Sequence, residues 1–211
     1  MNKDPLVLTI DFGTQSVRAM LFDKTGKDLA KKQVKFEEPY YSLKPGWAEQ
    51  KPEFYWERLK EATNGLKKDN EDLWDRIEAV VCTTIRDTAV IVEKTGKPLR
   101  DVILWLDARQ TPEAEKTRFS PLFMALVKTI GLFDMAAGSA RVSACNWVHE
   151  NEPDVWKNMY KFLFFSGYMT YRLTGVMKDC VANQIGHIPF DYKKKKWQKP
   201  SDMTACIYDL K

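Results

Sequence analysis

The residues best able to do chemistry sit in one short turn near the start of the chain: Asp11-Phe12-Gly13-Thr14-Gln15-Ser16, with Arg18 just beyond. The turn combines a carboxylate, a residue with no side chain and a run of hydroxyl and amide donors. Gly13 lets the backbone come close to an anion. Thr14, Gln15 and Ser16 can turn N–H and side-chain donors towards phosphate oxygens, as a backbone nest does, and Arg18 adds a fixed positive charge. Asp11, placed at a strand end, suits Mg²⁺, an ion usually held beside substrate phosphates by carboxylates and water. The same residues alone also fit a plain hairpin whose polar turn faces water.

A second group lies further along. Arg86 and Asp87 are an adjacent cation and anion between two strand candidates, able to donate to and accept from neighbouring hydroxyls of a polyol. Trp105, at the end of a strand, offers an apolar platform for the C–H face of a carbohydrate. A loop ion pair and a core tryptophan are the simpler readings of those residues. Asp107 and Arg109 read as bracing each other, and Asp179 as either facing a cleft or capping its own segment. His149 and His187 have no nucleophile or carboxylate pattern beside them and receive no catalytic role. Cys82, Cys145, Cys180 and Cys206 show no CxxC spacing and read as reduced thiols of a cytoplasmic protein.

The elements that must position these residues follow from the apolar pattern. Residues 6–10 and 17–22 are apolar runs on either side of the Asp11–Ser16 turn, which predicts a β-hairpin, and a second turn at 23–27 leads into an extended segment over 29–36. After a loop over 45–50, Pro52 opens a helix in which Tyr55, Leu59, Ala62 and Leu66 recur at helical spacing. Strands are predicted over 77–84, 88–93 and 102–105. Residues 111–158 turn mainly helical, with breaks at Pro121, Gly131, Gly138 and Pro153. A strand over 162–165 and a helix over 168–173, stopped by Thr174-Gly175, close the readable part.

Composition narrows the class. A chain of 211 residues, 44% hydrophobic and 29% charged, can bury one sizeable core. The net charge of +4 is the balance of 33 basic and 29 acidic residues, and the densest basic run is Lys193–Lys196. That run lacks aromatic or arginine periodicity, so it reads as a solvated turn and not as a nucleic-acid site. The N-terminal apolar stretch is too short for a signal sequence, and no window predicts a membrane span.

Several segments together resemble one family. IDFGTQSVRAMLFDKTGK (10–27), PGWAEQKPEFYW (45–56), TTIRDTAVIVEKTGKPLRDVILWLDARQ (83–110) and KFLFFSGYMTYRLTG (161–175) are similar, in this order, to the N-terminal segments of the FGGY carbohydrate kinases. That resemblance implies an α/β domain of the ribonuclease-H-like, actin/hexokinase type, a mixed sheet flanked by helices. It implies ATP-dependent phosphorylation of a small sugar or polyol, with Asp11 organising Mg²⁺, Gly13 to Gln15 around the γ-phosphate, Ser16 and Arg18 close by, and Arg86, Asp87 and Trp105 on the sugar. Family members carry an Arg-Glu or a Met-His pair where Arg86-Asp87 stands, so the resemblance leaves the sugar open. Many have aspartate where Gly167 stands. It also implies that residues 1–211 are the N-terminal domain, with the catalytic aspartate in a Gly-Asp-Gln or Gly-x-x-Asp segment beyond Lys211 and with a C-terminal domain as partner. A homodimer is compatible with it. A non-catalytic module that binds sugar or a partner is the alternative.

Overall fold

The computed structural model of the chain describes residues 4–114, 119–184 and 190–197. The opening hairpin is β1 (Leu6–Phe12) and β2 (Ser16–Phe22), joined antiparallel, with β3 (Asp28–Lys35) antiparallel on the far side of β2. Leu6, Leu8, Ile10 and Phe12 are buried along one face of β1, the period-2 pattern that fixes its register. Next come β4 (Glu49–Gln50), α1 (Pro52–Asp69) and a single turn, α2 (Glu71–Trp74). The apolar spacing of α1 is realised residue for residue: Pro52, Tyr55, Leu59, Ala62 and Leu66 are its buried positions, and the helix lies on β2 and β3. The helix carries the chain across the sheet, so β5 (Ile77–Thr84) joins β1 in parallel and gives the strand order β3-β2-β1-β5.

A second sheet stands beside the first. It consists of β4, β6 (Ala89–Val92), β7 (Val102–Ile103) and β8 (Lys161–Phe164), in the order β4-β7-β6-β8. β6 is buried at all four positions because its two faces meet different layers. Val90 and Val92 join the core of the first sheet, and Ile91 packs with Trp147, Val148 and Met159. The helices are α3 (Pro121–Thr129), α4 (Phe133–Val142), α5 (Ala144–Asn151), α6 (Pro153–Asn158), α7 (Phe165–Thr174) and α8 (Val181–Gln184), followed by the pair β9 (Phe190–Asp191) and β10 (Lys196–Trp197). The expected mixed α/β architecture with flanking helices is therefore present. Lys193, Lys194 and Lys195 form the exposed turn between β9 and β10, with Asp191 accepting from the amides of Lys193 and Lys194, while Lys196, expected in the same turn, opens β10. Among the described residues no helix is long and apolar enough to cross a membrane. His187 and Cys206 lie outside the described residues.

Three expectations are corrected. Gly138 does not break a helix; α4 continues through it, and the break falls at Ser143, whose hydroxyl accepts from the amide of Asn146 and caps α5. A glycine inside a helix costs only about 1 kcal/mol, less than a neighbouring cap and tertiary packing restore. Residues 49–50, read as loop, form a strand. The sequence 102–105, read as strand throughout, leaves the sheet after Ile103. The Leu104 amide still reaches the Ala48 carbonyl at 3.1 Å, but the Asp107 amide turns back to the Leu104 carbonyl at 3.0 Å and swings Trp105 out of the sheet.

Candidate active site

The parallel pairing of β1 with β5 decides where the chemistry-bearing residues meet. Asp11 stands opposite Thr83 and Phe12 opposite Thr84, so the turn after β1 and the loop after β5 leave the sheet at the same end. Ala89, at the start of β6, pairs with Ile103 at the end of β7 and with Phe164 at the end of β8. Turn 13–15, loop 85–88, the segment after β7 and the start of α7 thus converge at one end of the two sheets. In open α/β sheets, the carboxyl ends of the strands are where ligands bind.

The turn itself is tight. The Gly13 amide donates to the Ser16 carbonyl at 2.9 Å, and the Phe36 amide to the Gln15 carbonyl at 2.9 Å. Ser16 is 6% exposed, and its hydroxyl accepts from Gln33 Nε2 at 3.0 Å, so it anchors the turn to β3. The amides of Thr14 and Gln15 have no acceptor among the described residues and lie at the tip. Asp11 and Arg18 are directly paired across β1 and β2, and Arg18 donates to Asp11 Oδ2 at 2.9 Å. Much of the Arg18 charge is thereby directed at Asp11 Oδ2, while Asp11 Oδ1 has no side-chain partner among the described residues. Among the described residues no group of three or more His, Cys, Asp and Glu side chains is arranged to hold a metal ion. A single carboxylate with one open oxygen fits Mg²⁺, which keeps several waters and takes its other ligands from phosphates.

Arg86 and Asp87 are both exposed in the loop between β5 and β6. Asp87 has φ 52°, a left-handed conformation that aspartate tolerates better than most residues. Behind it Thr88 is fully buried; its hydroxyl donates to the Arg86 carbonyl at 3.1 Å, and its own carbonyl receives the Phe165 amide at 2.9 Å. Trp105 is 57% exposed and is not a core residue. Its indole Nε1–H donates to the Thr14 hydroxyl at 3.0 Å, which brings the second group of candidate residues into contact with the first.

Asp107 and Arg109 brace each other as expected, within a larger charge cluster that the sequence did not disclose. Arg109 donates to both oxygens of Asp107, each at 2.7 Å, and to Glu49 at 2.7 Å. Arg100 bonds Glu49 and, at 2.9 Å, Glu152. The Arg109 guanidinium lies 4.0 Å from the ring centre of Trp47 and 4.5 Å from that of Trp147, packed against an edge-to-face pair whose ring centres are 5.2 Å apart. Burial opposes the charge of Asp107, but bonds from Arg109 and from the Ala48 amide hold its carboxyl below the usual range. Burial likewise opposes the charge of Arg109, and its bonds to Asp107 and Glu49 hold its pKa above the ordinary value. The cluster fixes the segment that carries Trp105.

Asp179 caps its own segment, the second of the two roles its sequence allowed. Its carboxylate accepts from Ser166, from Asn183 and Gln184 at 2.7 Å each, and from the Cys180 amide at 2.8 Å. It also lies near the site. The Cys82 thiol is pushed up to about 12, by burial first and then by the charges of Asp11 and Asp179. A side chain at Gly167 would begin 3.3 Å from the Asp179 β-carbon, so the glycine gives Asp179 its room. Cys82 stays a protonated thiol at neutral pH, whereas Cys180 is exposed. Only a thiolate alkylates. Iodoacetamide at pH 8, followed by peptide mass spectrometry, is expected to label Cys180 well before Cys82; comparable rates would mean that Cys82 is far more ionised than its surroundings indicate.

Comparison with known proteins identifies the family of the chain. The chain is 26% identical over 195 residues to a xylulose kinase of Lactococcus lactis, covering 92% of this chain and 38% of that protein. It is 30% identical over 211 residues to a glycerol kinase of Thermococcus kodakarensis, covering 98% of this chain and 41% of that protein. The chain therefore spans about two fifths of the length of these relatives. A crystal structure of a xylulose kinase from Rhodospirillum rubrum superposes with a TM-score of 0.74 at 21% identity, over 95% of this chain and 40% of that one, and shares the ribonuclease-H-like fold. The N-terminal domain of the FGGY family of carbohydrate kinases matches residues 6–205, and the chain belongs to that family.

Proposed function

We propose that the whole protein transfers the terminal phosphoryl group of ATP to a hydroxyl of a small sugar or polyol in the cytoplasm, and that residues 1–211 supply the phosphate turn and one wall of the sugar site. The observation that carries this reading is the convergence of turn 13–15 with the Arg86-Asp87 loop at the carboxyl ends of β1 and β5. Phosphoryl transfer asks little covalent chemistry of a protein; it needs positioning and charge stabilisation. The amides of Thr14 and Gln15 would take oxygens of the terminal phosphate, with Gly13 permitting the approach and Ser16 holding the turn closed. Asp11 would hold Mg²⁺, and Arg18 keeps that carboxylate oriented while adding positive charge. Mg²⁺, when bound, neutralises charge on the phosphate oxygens. Arg86 would donate to one sugar hydroxyl and Asp87 accept from the next, with the Trp105 ring beneath the C–H face. The proton acceptor and the adenine site are assigned to the C-terminal domain. A homodimer belongs to the same reading; the exposed apolar side chains Leu122 and Leu126 on α3 and Ile130 at its C-cap support it.

The test is sugar-dependent ADP release by the full-length protein across a panel of glycerol, ketopentoses and sugar acids. Turnover with one of them is expected. Sugar binding without turnover would favour the non-catalytic module. On the substrate so found, Arg86→Ala should lower kcat/KM for the sugar by roughly ten- to a hundredfold, the size of a lost hydrogen bond from a charged group to a sugar hydroxyl. The KM for ATP should stay near wild type. An unchanged sugar term would return Arg86 to a structural role.

A further inference from the structure

Thr14 and Trp105 are separated by 91 positions in sequence, yet the indole N–H meets the threonine hydroxyl at 3.0 Å. Trp105 is 57% exposed, so water competes for both groups. The bond is favoured because backbone on both sides is already fixed. On one side the Gly13 amide is tied to the Ser16 carbonyl and the Phe36 amide to the Gln15 carbonyl; on the other the Ala108 amide is tied to the Gly46 carbonyl at 2.7 Å. A threonine hydroxyl has one hydrogen and two acceptor lone pairs. With one lone pair given to the indole, its hydrogen is directed away from Trp105 and becomes a third donor beside the amides of Thr14 and Gln15. Hydrogen bonds in series also polarise one another, which strengthens that donor.

We propose that Trp105 is a positioning residue for the phosphate turn: its indole N–H orients the Thr14 hydroxyl to donate to a polyphosphate oxygen, so the sugar platform and the phosphate turn bind their ligands as one unit. This role rests on the kinase reading above and adds a linkage to it. A sugar seated on the indole steadies the Thr14 donor and tightens polyphosphate binding. By reciprocity, polyphosphate tightens sugar binding by the same factor.

The probe is Mg²⁺-tripolyphosphate, titrated calorimetrically into the full-length protein with and without the sugar identified by the panel, or glycerol if none turns over. Trp105→Phe keeps an aromatic platform and removes the N–H; Thr14→Val removes the hydroxyl at nearly constant shape. Each change is expected to weaken tripolyphosphate binding roughly tenfold, the size of one hydrogen bond to a charged group, and the double variant to lose no more than either alone. Thr14→Ser should bind as wild type does, and the sugar's tightening of tripolyphosphate should vanish in Trp105→Phe. If that variant melts early, benzothienylalanine at position 105 keeps the bicyclic shape without the N–H and gives the same readout. Wild-type binding that Trp105→Phe leaves unchanged, or losses that add in the double variant, would overturn the coupling and leave the kinase reading standing. No tripolyphosphate binding by the wild type would also overturn the coupling, while the kinase reading stands or falls on the ADP-release panel.

Discussion

Arg109→Ala is expected to destabilise the domain by about 3–5 kcal/mol, the loss seen when one partner of a buried ion pair is removed and the other charge is left in the interior. The side chains of Arg109, Asp107 and Glu49 are 3%, 2% and 5% exposed, so water cannot replace the missing guanidinium. The change also removes the packing of the guanidinium against the Trp47–Trp147 pair, a loss added to the electrostatic one. Arg109→Lys should recover little, because a compact ammonium cannot bond both oxygens of Asp107 and Glu49 together as the planar guanidinium does while packing on the tryptophans. Chemical denaturation of the wild type and both variants measures this directly. A loss under about 1 kcal/mol would equal that of an exposed pair and would mean the cluster is hydrated. The pH dependence has a definite sign. The folded-state pKa of Asp107 is depressed, so its contribution is complete above the ordinary carboxylate range and is lost only as pH falls through the lowered value.

That cluster also marks where the sequence stops being legible. The apolar spacing of α1 and the bounds of β5 could be read because burial there follows from a local period: each buried position of the helix has its neighbours three or four residues away. The tight turn after β1 was legible for the same reason, since Gly13 and Ser16 close it on themselves. Glu49 is the opposite case. A glutamate in a two-residue strand at 4% exposure makes sense only through Arg100 and Arg109, 51 and 60 positions later, and no local pattern anticipates that pairing. Trp105 falls between the two. Its residue type pointed to a platform, but its contact with Thr14 depends on β7 ending at Ile103, which the apolar run through Leu104 and Trp105 concealed. Gly138 was misread because a glycine signals a break only where no neighbouring cap and packing hold the helix.

For Asp11→Asn in the full-length protein, kcat at saturating Mg²⁺, ATP and sugar is expected to fall about a thousandfold. Metal-held charge stabilisation is worth several kcal/mol in the transition state, and about 4 kcal/mol corresponds to that factor. The fold should hardly register the change. Asparagine keeps the shape and the strand position opposite Arg18 and Thr83. The ion pair it weakens has side chains 43% and 31% exposed, a setting in which such pairs contribute about 0–1 kcal/mol. The thermal midpoint should therefore move by only a few degrees. Because Asp11 serves both Arg18 and the proposed metal, one variant alone cannot separate the two. Arg18→Met removes the same ion pair while leaving the carboxylate intact. It should raise the KM for ATP through the lost positive charge, but should fall far short of a thousandfold in kcat. Equal losses in the two variants would mean that the ion pair, and not a metal-holding carboxylate, is what the chemistry requires. Near-normal kcat in Asp11→Asn would remove Asp11 from the site, and a collapsed midpoint would make its role that of holding β1 to β2.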